Sequence, residues 1–508
     1  MEHKKKDIIL PLSLFILTIL TRIPFTSKYL YNWDSVQFAL ALEHYDITVH
    51  QPHPPGYFLY VMLGRLINLF IRDANDTFIL ISILFSGLTV ATIYYLGKEI
   101  FDKKIGIFAA LIALTSPNLW FHGEVALTYV VEAFFSSFVA LLCWRIIKGQ
   151  HKYLWLSVIA LGIAGGIRQN TIVFLVPLWL FSVKGIACRK IIASIGLLGV
   201  VCLLWFVPMV WMTGGLNAYN EAYRELWEFY TGRFSVFEKG WRMFNIFSLI
   251  LLRYALYGIG TGIFILGLST YSLIRQKKLS ALDKQKTLFI LMWITPSILF
   301  YLLIFIHPAN PGYVLVFLPS LLLLTAAAIG YLSDNIKIVF KKDLGKSILS
   351  LILIVNTIIF VFAKYPYTYQ NIKEYDSNLP MLLNSIKSFD PLTTGVFATE
   401  YLYYRYRQIM YYLPEYYVYD AGFRGERKLF WGTNRTTHLS DDFIPPKNIR
   451  KFVVPLVKDE INKFKLTKEM SIYNIENTKF CLITGDIKLL NTLLPKMRHQ
   501  LQQEDICN

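Results

Sequence analysis

The chain has 508 residues; 55% are hydrophobic, 16% aromatic and only 17% charged, and 51 Lys and Arg against 34 Asp and Glu leave a net charge of +17. Ordinary soluble chains carry roughly 25% charge, so this composition excludes a disordered protein, a collagen-like fibre and a small disulfide scaffold. The basic excess lies in short stretches between apolar runs, the pattern of cytoplasmic membrane loops, and not in a block that would engage nucleic acid.

The first residues, Met-Glu-His-Lys-Lys-Lys-Asp, lead into an apolar run at 8–23 that ends without a small-residue cleavage site. With more spans following, it reads as a retained signal-anchor. Further apolar runs occur at 56–71, 77–97, 105–120, 128–147, 153–167, 171–183, 191–212, 246–274, 287–306, 312–332 and 347–363. Several fall short of the ~20 residues a perpendicular membrane helix needs, so tilted, short or re-entrant pieces are expected. The loops holding Lys4–Lys6, Lys98/Lys103/Lys104, Arg145/Lys148/Lys152 and Lys184/Arg189/Lys190, and those at 275–286 and 337–346, are short and basic. Placing them in the cytoplasm leaves 117–128, 168–170, 212–245, 307–312 and the tail from 364 outside. Counting crossings then gives a parity conflict before Glu124: either one of the segments 56–71, 77–97 and 105–120 crosses incompletely, 56–71 being the favoured one, or the 98–104 loop is external.

Two of the external stretches are too long to be turns. Residues 26–55 set Trp33, Asp34, Glu43, His44, Asp46, His50 and His53 against Val36, Phe38, Leu40 and Leu42, an amphipathic pattern expected to lie on the membrane surface. Residues 213–245 mix Glu221, Arg224, Glu225 and Glu228 with Trp227, Phe229, Tyr230 and Trp241 in the same manner. From 364 onward strand-like runs (395–398, 416–419, 451–457, 480–484) alternate with helix-like ones (401–411, 458–465, 487–494). That alternation predicts a small α/β domain of about 145 residues, enough for its own core. It contains no glycine-rich phosphate fingerprint. There is no CxxC pair; Cys143, Cys188 and Cys202 lie in or beside apolar segments, while Cys481 and Cys507 in the tail are able to pair in an oxidising compartment.

Four short patches carry polar chemistry. The first is Tyr31-Asn-Trp-Asp34-Ser-Val-Gln-Phe38 with His50-Gln-Pro-His53-Pro-Pro-Gly-Tyr57, which gathers a carboxylate and imidazoles just beyond the first span. A carboxylate between Trp33 and an apolar face at a lipid boundary is costly without a purpose, although a solvated polar loop has the same composition. The second is His122-Gly-Glu124, with Glu132 further along the next helix; an acid favoured at a helix start has the same appearance. The third is Arg168, in Gly165-Gly-Ile-Arg168-Gln-Asn170 between two short apolar pieces, where a phosphate is a natural partner and snorkelling to the interface is the ordinary alternative. The fourth is His307-Pro-Ala-Asn-Pro-Gly-Tyr313, a histidine-bearing turn or, more plainly, a tight Pro/Gly connection. Walker motifs, nucleophilic triads and HExxH are absent, and the spacing of His44, His50 and His53 matches no zinc signature.

An acid soon after the first span, followed by a basic residue and Pro-Pro opening the next apolar segment, resembles the polyprenyl-phosphate-dependent membrane glycosyltransferases of the C-type fold. That group includes the protein O-mannosyltransferases and lipid A aminoarabinose transferases, and the pattern is most similar to the family-39-like bacterial members. By pattern the resemblance spans 8–330, with identity confined to the patches quoted. The protein mannosyltransferases carry Asp-Glu in the first loop; here the second position is Ser35, so no second acid is carried over.

The resemblance implies a polytopic α-helical membrane protein with about 11 to 13 transmembrane helices and a C-terminal extracytoplasmic α/β domain. Residues 1–363 would form the transferase domain, with external loops 26–55 and 213–245, and residues 364–508 the α/β domain. It implies inverting transfer of a monosaccharide from a polyprenyl-phosphate sugar to a lipid, glycan or protein acceptor outside the cytoplasm. Asp34 would be the base, Glu124 would orient substrate, and His53, Arg168, His307 and Tyr313 would hold the phosphate. No metal or other cofactor is expected to be obligatory, and no nucleic-acid partner. The alternative reading is a membrane transporter or lipid flippase.

Overall fold

The structure, a computed structural model, describes residues 2–276, 283–340, 343–364, 367–398, 406–420, 446–463, 466–490 and 492–493. Helices follow one another as α1 (Glu2–Arg22), α2 (Trp33–Glu43), α3 (Phe58–Ile71), α4 (Ala74–Ile100), α5 (Lys103–Thr115), α6 (Pro117–His122), α7 (Tyr129–Ile147), α8 (Tyr153–Ile167), α9 (Asn170–Ser182) and α10 (Cys188–Met212). Then come α11 (Leu216–Phe234), α12 (Val236–Lys239), α13 (Trp241–Ile259), α14 (Gly262–Arg275), α15 (Lys284–Leu303), α16 (Leu318–Phe340), α17 (Gly345–Phe362), α18 (Tyr369–Lys387) and α19 (Tyr406–Tyr412). Among the described residues, five strands occupy Thr394–Ala398 (β1), Tyr417–Asp420 (β2), Lys451–Val457 (β3), Ser471–Asn474 (β4) and Phe480–Asp486 (β5). The chain divides into two compact units: Met1–Ser27 with Tyr57–Trp211 and Tyr223–Ile372, and Lys28–Gly56 with Met212–Ala222 and Lys373–Asn508.

The first unit is helical. Among the described residues seven helices are long and apolar enough to cross a membrane, and four shorter ones, including α3, are apolar. At 1.5 Å per residue the 14 residues of α3 extend ~21 Å, short of a hydrocarbon core of ~30 Å. Helix α7 lies at the centre, 78% of its span buried, whereas α10 is only 11% buried and presents Ile192, Val200, Leu203 and Val207 outward, as a lipid-facing helix does. Small residues let α4 and α5 meet backbone to backbone: a Cβ on Gly97 would lie 2.6 Å from the Gly106 Cα. Asp73 and Asp102 cap the starts of these two helices, accepting the N–H groups of Asp76 and Ile105.

The second unit is built on a five-stranded sheet in the order β2-β1-β3-β5-β4. Strands β2, β1 and β3 are parallel and β5 runs antiparallel between β3 and β4. The central β3 is apolar and buried through Phe452–Leu456, while the edge strand β4 is exposed at every position. Phe397 stacks on Tyr419 at 5.0 Å in a core completed by Phe452, Val454, Leu456, Ile483 and Leu490. Three of the expected strands fall where the sequence put them within a residue or two, and β3 matches it residue for residue. The helix-like run at 458–465 is a 3-10 turn over Lys458–Lys463, whereas that at 487–494 opens with a 3-10 turn over Ile487–Leu489 and is helical at Leu490, Thr492 and Leu493; residues 464–465, 491 and 494 lie outside the described ones, as do 401–405 of the run that becomes α19. Cys481 is buried in β5, and Cys507 lies outside the described residues.

The loop 28–56 also belongs to this unit, with α2 packed against α19. The expected surface-lying helix is therefore a packed one. Its would-be polar face is occupied within the protein, because Ser35 and Gln37 are as inaccessible as Val36 and Phe38.

Candidate functional site

The acid loop is shaped by local hydrogen bonds. Asn32 caps α2, its side chain accepting the Asp34 N–H at 3.0 Å, and Ser35 completes a capping box by accepting the Asn32 N–H at 3.3 Å. Asp34 thus sits in the first turn of α2 with its carboxylate a quarter exposed. Beyond the helix, Asp46 and Gln51 exchange both backbone hydrogen bonds, at 2.8 and 2.9 Å, and reverse the chain. The reversal brings His53 back to α2, its Nδ1 3.7 Å from Asp34 Oδ1. Gln37, fully buried, accepts the His53 backbone N–H at 3.2 Å and the ring Nδ1–H. That acceptor assigns the ring proton to Nδ1. Among the described residues no three His, Cys, Asp or Glu side chains gather as metal ligands.

A second cluster lies in the helical unit. Arg168 ends α8, 7% exposed. Its Nε is 3.1 Å from Glu132 Oε2, and Nη1 donates to the Thr128 hydroxyl at 3.2 Å. Thr171 donates to the other Glu132 oxygen at 2.9 Å. The guanidinium carbon lies 4.4 Å from the ring centre of Tyr129, 5.6 Å from Tyr57 and 5.7 Å from Tyr313, a three-tyrosine cage whose π faces stabilise the cation. Nη2 takes no part in these hydrogen bonds.

The turn at 307–313 is held from several sides. Tyr254 Oη donates to the carbonyls of His307 and Pro308 and accepts the Asn310 N–H at 3.0 Å. Asn310 donates to Tyr129 Oη at 2.8 Å, and Asn118 to the Pro311 carbonyl at 2.9 Å. Gly312 passes so close to Tyr129 and His122 that a Cβ there would meet the Tyr129 ring at 2.3 Å and His122 Nε2 at 2.7 Å. His307, half-buried, accepts the Ala309 N–H on Nδ1 at 3.1 Å, which leaves its proton on Nε2. Phe305 packs 6.2 Å from both the His307 and the Tyr313 rings.

Glu124 is placed differently. It has no exposed surface, and among the described residues neither carboxylate oxygen has a hydrogen-bond partner of good geometry. Burial pushes its carboxyl well up, opposed by the charge of Arg22. Arg22, also fully buried, donates to the Leu114 carbonyl at 2.8 Å and to Ser86 at 3.3 Å, over the Trp120 ring.

Apart from Glu124, the sequence-predicted residues therefore form two groups. Asp34 and His53 stand together in one unit, and Arg168 and Tyr313 share the cage in the other, with His307 on the turn that carries Tyr313. Gln37, Glu132, Tyr57, Tyr129 and Asn310 went unassigned in sequence. A signal existed for Glu132 alone, an acid in the first turn of an apolar helix near an intramembrane arginine.

Residues 52–212 match the family model described as dolichyl-phosphate-mannose-protein mannosyltransferase. Among solved structures, ArnT from Cupriavidus metallidurans in the apo state superposes with a TM-score of 0.58 at 12% identity, over 95% of this chain and 98% of that one. This is the C-type glycosyltransferase fold. The same ArnT bound to undecaprenyl phosphate gives 0.56 at 12% identity, over 94% and 98% of the two chains. The archaeal oligosaccharyltransferase AglB from Archaeoglobus fulgidus, in complex with an inhibitory peptide and a dolichol-phosphate, gives 0.48 at 11%, over 89% and 70%. Comparison with curated protein sequences yields no match. The stretch carrying the family signature includes His53, Glu124 and Arg168; Asp34, His307 and Tyr313 lie outside it.

Proposed function

We propose that this C-type-fold membrane protein is an inverting glycosyltransferase that moves a hexose or pentose from a polyprenyl-phosphate sugar to a hydroxyl of an extracytoplasmic acceptor. The observation that carries the reading is the Asp34–His53 pair, a part-exposed carboxylate held 3.7 Å from an imidazole by a helix cap and a buried glutamine. The family model's name and the undecaprenyl phosphate bound by ArnT supply the donor class.

In one displacement the acceptor oxygen attacks the anomeric carbon, Asp34 takes its proton, and the bond to the phosphate oxygen breaks with its electron pair leaving on the phosphate. A single displacement inverts the anomeric centre. The phosphate leaves as a stable anion and needs no general acid, so one carboxylate suffices. Arg168, fixed by Glu132 and the tyrosine cage, with His307 Nε2–H and Tyr313, offers charge and donors of the kind that stabilise a phosphate leaving group. The reading assigns no role to a divalent cation. Glu124, buried beside Arg22 in the turn between α6 and α7, is the second acid of this reading and orients the substrate. The N-terminus is cytoplasmic, with the reacting groups on the other side.

The test is release of undecaprenyl phosphate from a panel of radiolabelled undecaprenyl-phosphate monosaccharides by protein in lipid nanodiscs, comparing wild type with Asp34→Asn. Loss of the base is expected to lower turnover by ~10²–10⁴; turnover equal to wild type would sink the assignment.

A further inference from the structure

The α/β domain holds the acid loop by groups that belong to neither the loop nor the chemistry. Arg407, on α19, has no exposed surface, and a buried guanidinium is costly unless it is engaged. Its carbon lies 5.4 Å from the ring centre of Trp33, the residue before Asp34, and its Nη2 donates to the Val49 carbonyl at 3.3 Å. Val49 ends the 3-10 turn that leads to His50-Gln-Pro-His53. One guanidinium therefore grips both arms of the loop, the arm that carries Asp34 and the arm that carries His53.

Two tyrosines complete the grip. Tyr412 Oη accepts the Leu30 N–H at 2.8 Å, and Tyr375 Oη donates to the Leu30 carbonyl at 2.6 Å. Both polar groups of one peptide position are thus captured, and nearby the Tyr31 and Tyr375 rings pack at 4.8 Å. Because the captured groups are backbone, this anchoring fixes where α2 begins whatever side chain stands at position 30.

We infer that the C-terminal α/β domain is a positioning element for the reaction: Arg407, Tyr375 and Tyr412 hold Asp34 and His53 in register. Its catalytic part rests on the function proposed above. None of the three is a catalytic residue, since each acts through the loop. A misplacement of the base by ~1 Å is expected to cost about 100-fold in rate while leaving donor binding unchanged.

Two readouts on the full-length protein in nanodiscs test this. In hydrogen–deuterium exchange, Arg407→Gln and the double variant Tyr375→Phe/Tyr412→Phe should each speed amide exchange within residues 28–56 by about 10-fold, with 74–147 unchanged. In the undecaprenyl-phosphate-sugar assay both should lower kcat by ~10-fold or more, with KM for the donor within about 2-fold of wild type. Arg407→Lys, which keeps a cation over Trp33, should recover part of each effect. Protection of 28–56 identical to wild type in both variants overturns the inference, as does an unchanged kcat. Should Arg407→Gln fail to fold, the tyrosine pair decides the matter alone. An active Asp34→Asn protein would overturn the proposed base but leave the exchange result standing, so the two failures are distinguishable.

Discussion

The Arg168–Glu132 pair makes a quantitative demand on the helical unit. The Glu132 side chain has no exposed surface and Arg168 only 8%, with Nε and Oε2 3.1 Å apart. Removing one member of such a pair strands the other charge away from water, which costs ~3–5 kcal/mol. Removing both leaves no stranded charge, and neutral replacement of a buried pair is often close to isoenergetic. Arg168→Met and Glu132→Gln should therefore each destabilise by ~3–5 kcal/mol. The double variant should fall short of the sum by at least ~2 kcal/mol, towards the upper range of couplings between contacting residues. Reversible unfolding in mixed micelles, followed by tryptophan fluorescence, measures all four corners of the cycle. A second arm separates stability from function: if Arg168 holds the phosphate, Arg168→Met should weaken undecaprenyl phosphate binding by ~10–100-fold, the value of one charge-assisted hydrogen bond. Additivity within about 0.5 kcal/mol would show that the two charges do not depend on each other. Unaltered lipid binding in Arg168→Met would remove Arg168 from the phosphate site.

Two further variants follow from local geometry. Gly312→Ala drives a methyl group into Tyr129 and His122, so it should destabilise by ~1–3 kcal/mol, whereas Gly196→Ala in α10, with nothing within 4 Å, should be neutral or stabilising by up to ~1 kcal/mol; equal effects in a thermal-shift comparison would contradict this. Asp343, exposed between α16 and α17, has its carboxyl lowered from 3.8 to about 2 by the Ser333 hydroxyl and the Gly345 N–H, with Lys104 adding to the effect. Since its folded value lies below the unfolded one, its contribution is complete above pH ~4 and lost as pH falls towards 2. The gap in Tm between wild type and Asp343→Asn should accordingly close over that window; a gap constant from pH 6 to 2 would refute it.

What the sequence made legible was local. The apolar run at 128–147 becomes α7 over Tyr129–Ile147, and 451–457 becomes β3, because period and composition act over neighbouring residues. The polar edge strand β4 escaped notice since an exposed strand needs no apolar alternation. The packing of the acid loop escaped the sequence for a different reason. Its amphipathic pattern is real, but its partners are Tyr375 and Arg407, 345 and 358 positions along the chain from Leu30 and Val49, and no window of sequence reports a contact at that separation. The tyrosine cage is similar: Tyr57, Tyr129 and Tyr313 converge on Arg168 from three distant segments, and each looks alone like an ordinary interfacial aromatic.

Ser35 shows how packing can account for a sequence departure. In sequence it is the place where a second acid is missing. In the structure its side chain has no exposed surface and its hydroxyl accepts the Asn32 N–H, completing the cap of α2. A carboxylate at that position would have to be buried among Val36, Phe38 and Ala39, at a cost of several kcal/mol without a cationic partner. Arg407, which lies over Trp33, two residues before that position, is already engaged with that ring and the Val49 carbonyl. The loop is therefore built to carry one acid at the head of α2, and a mechanism for this chain has to run on Asp34 without help from position 35.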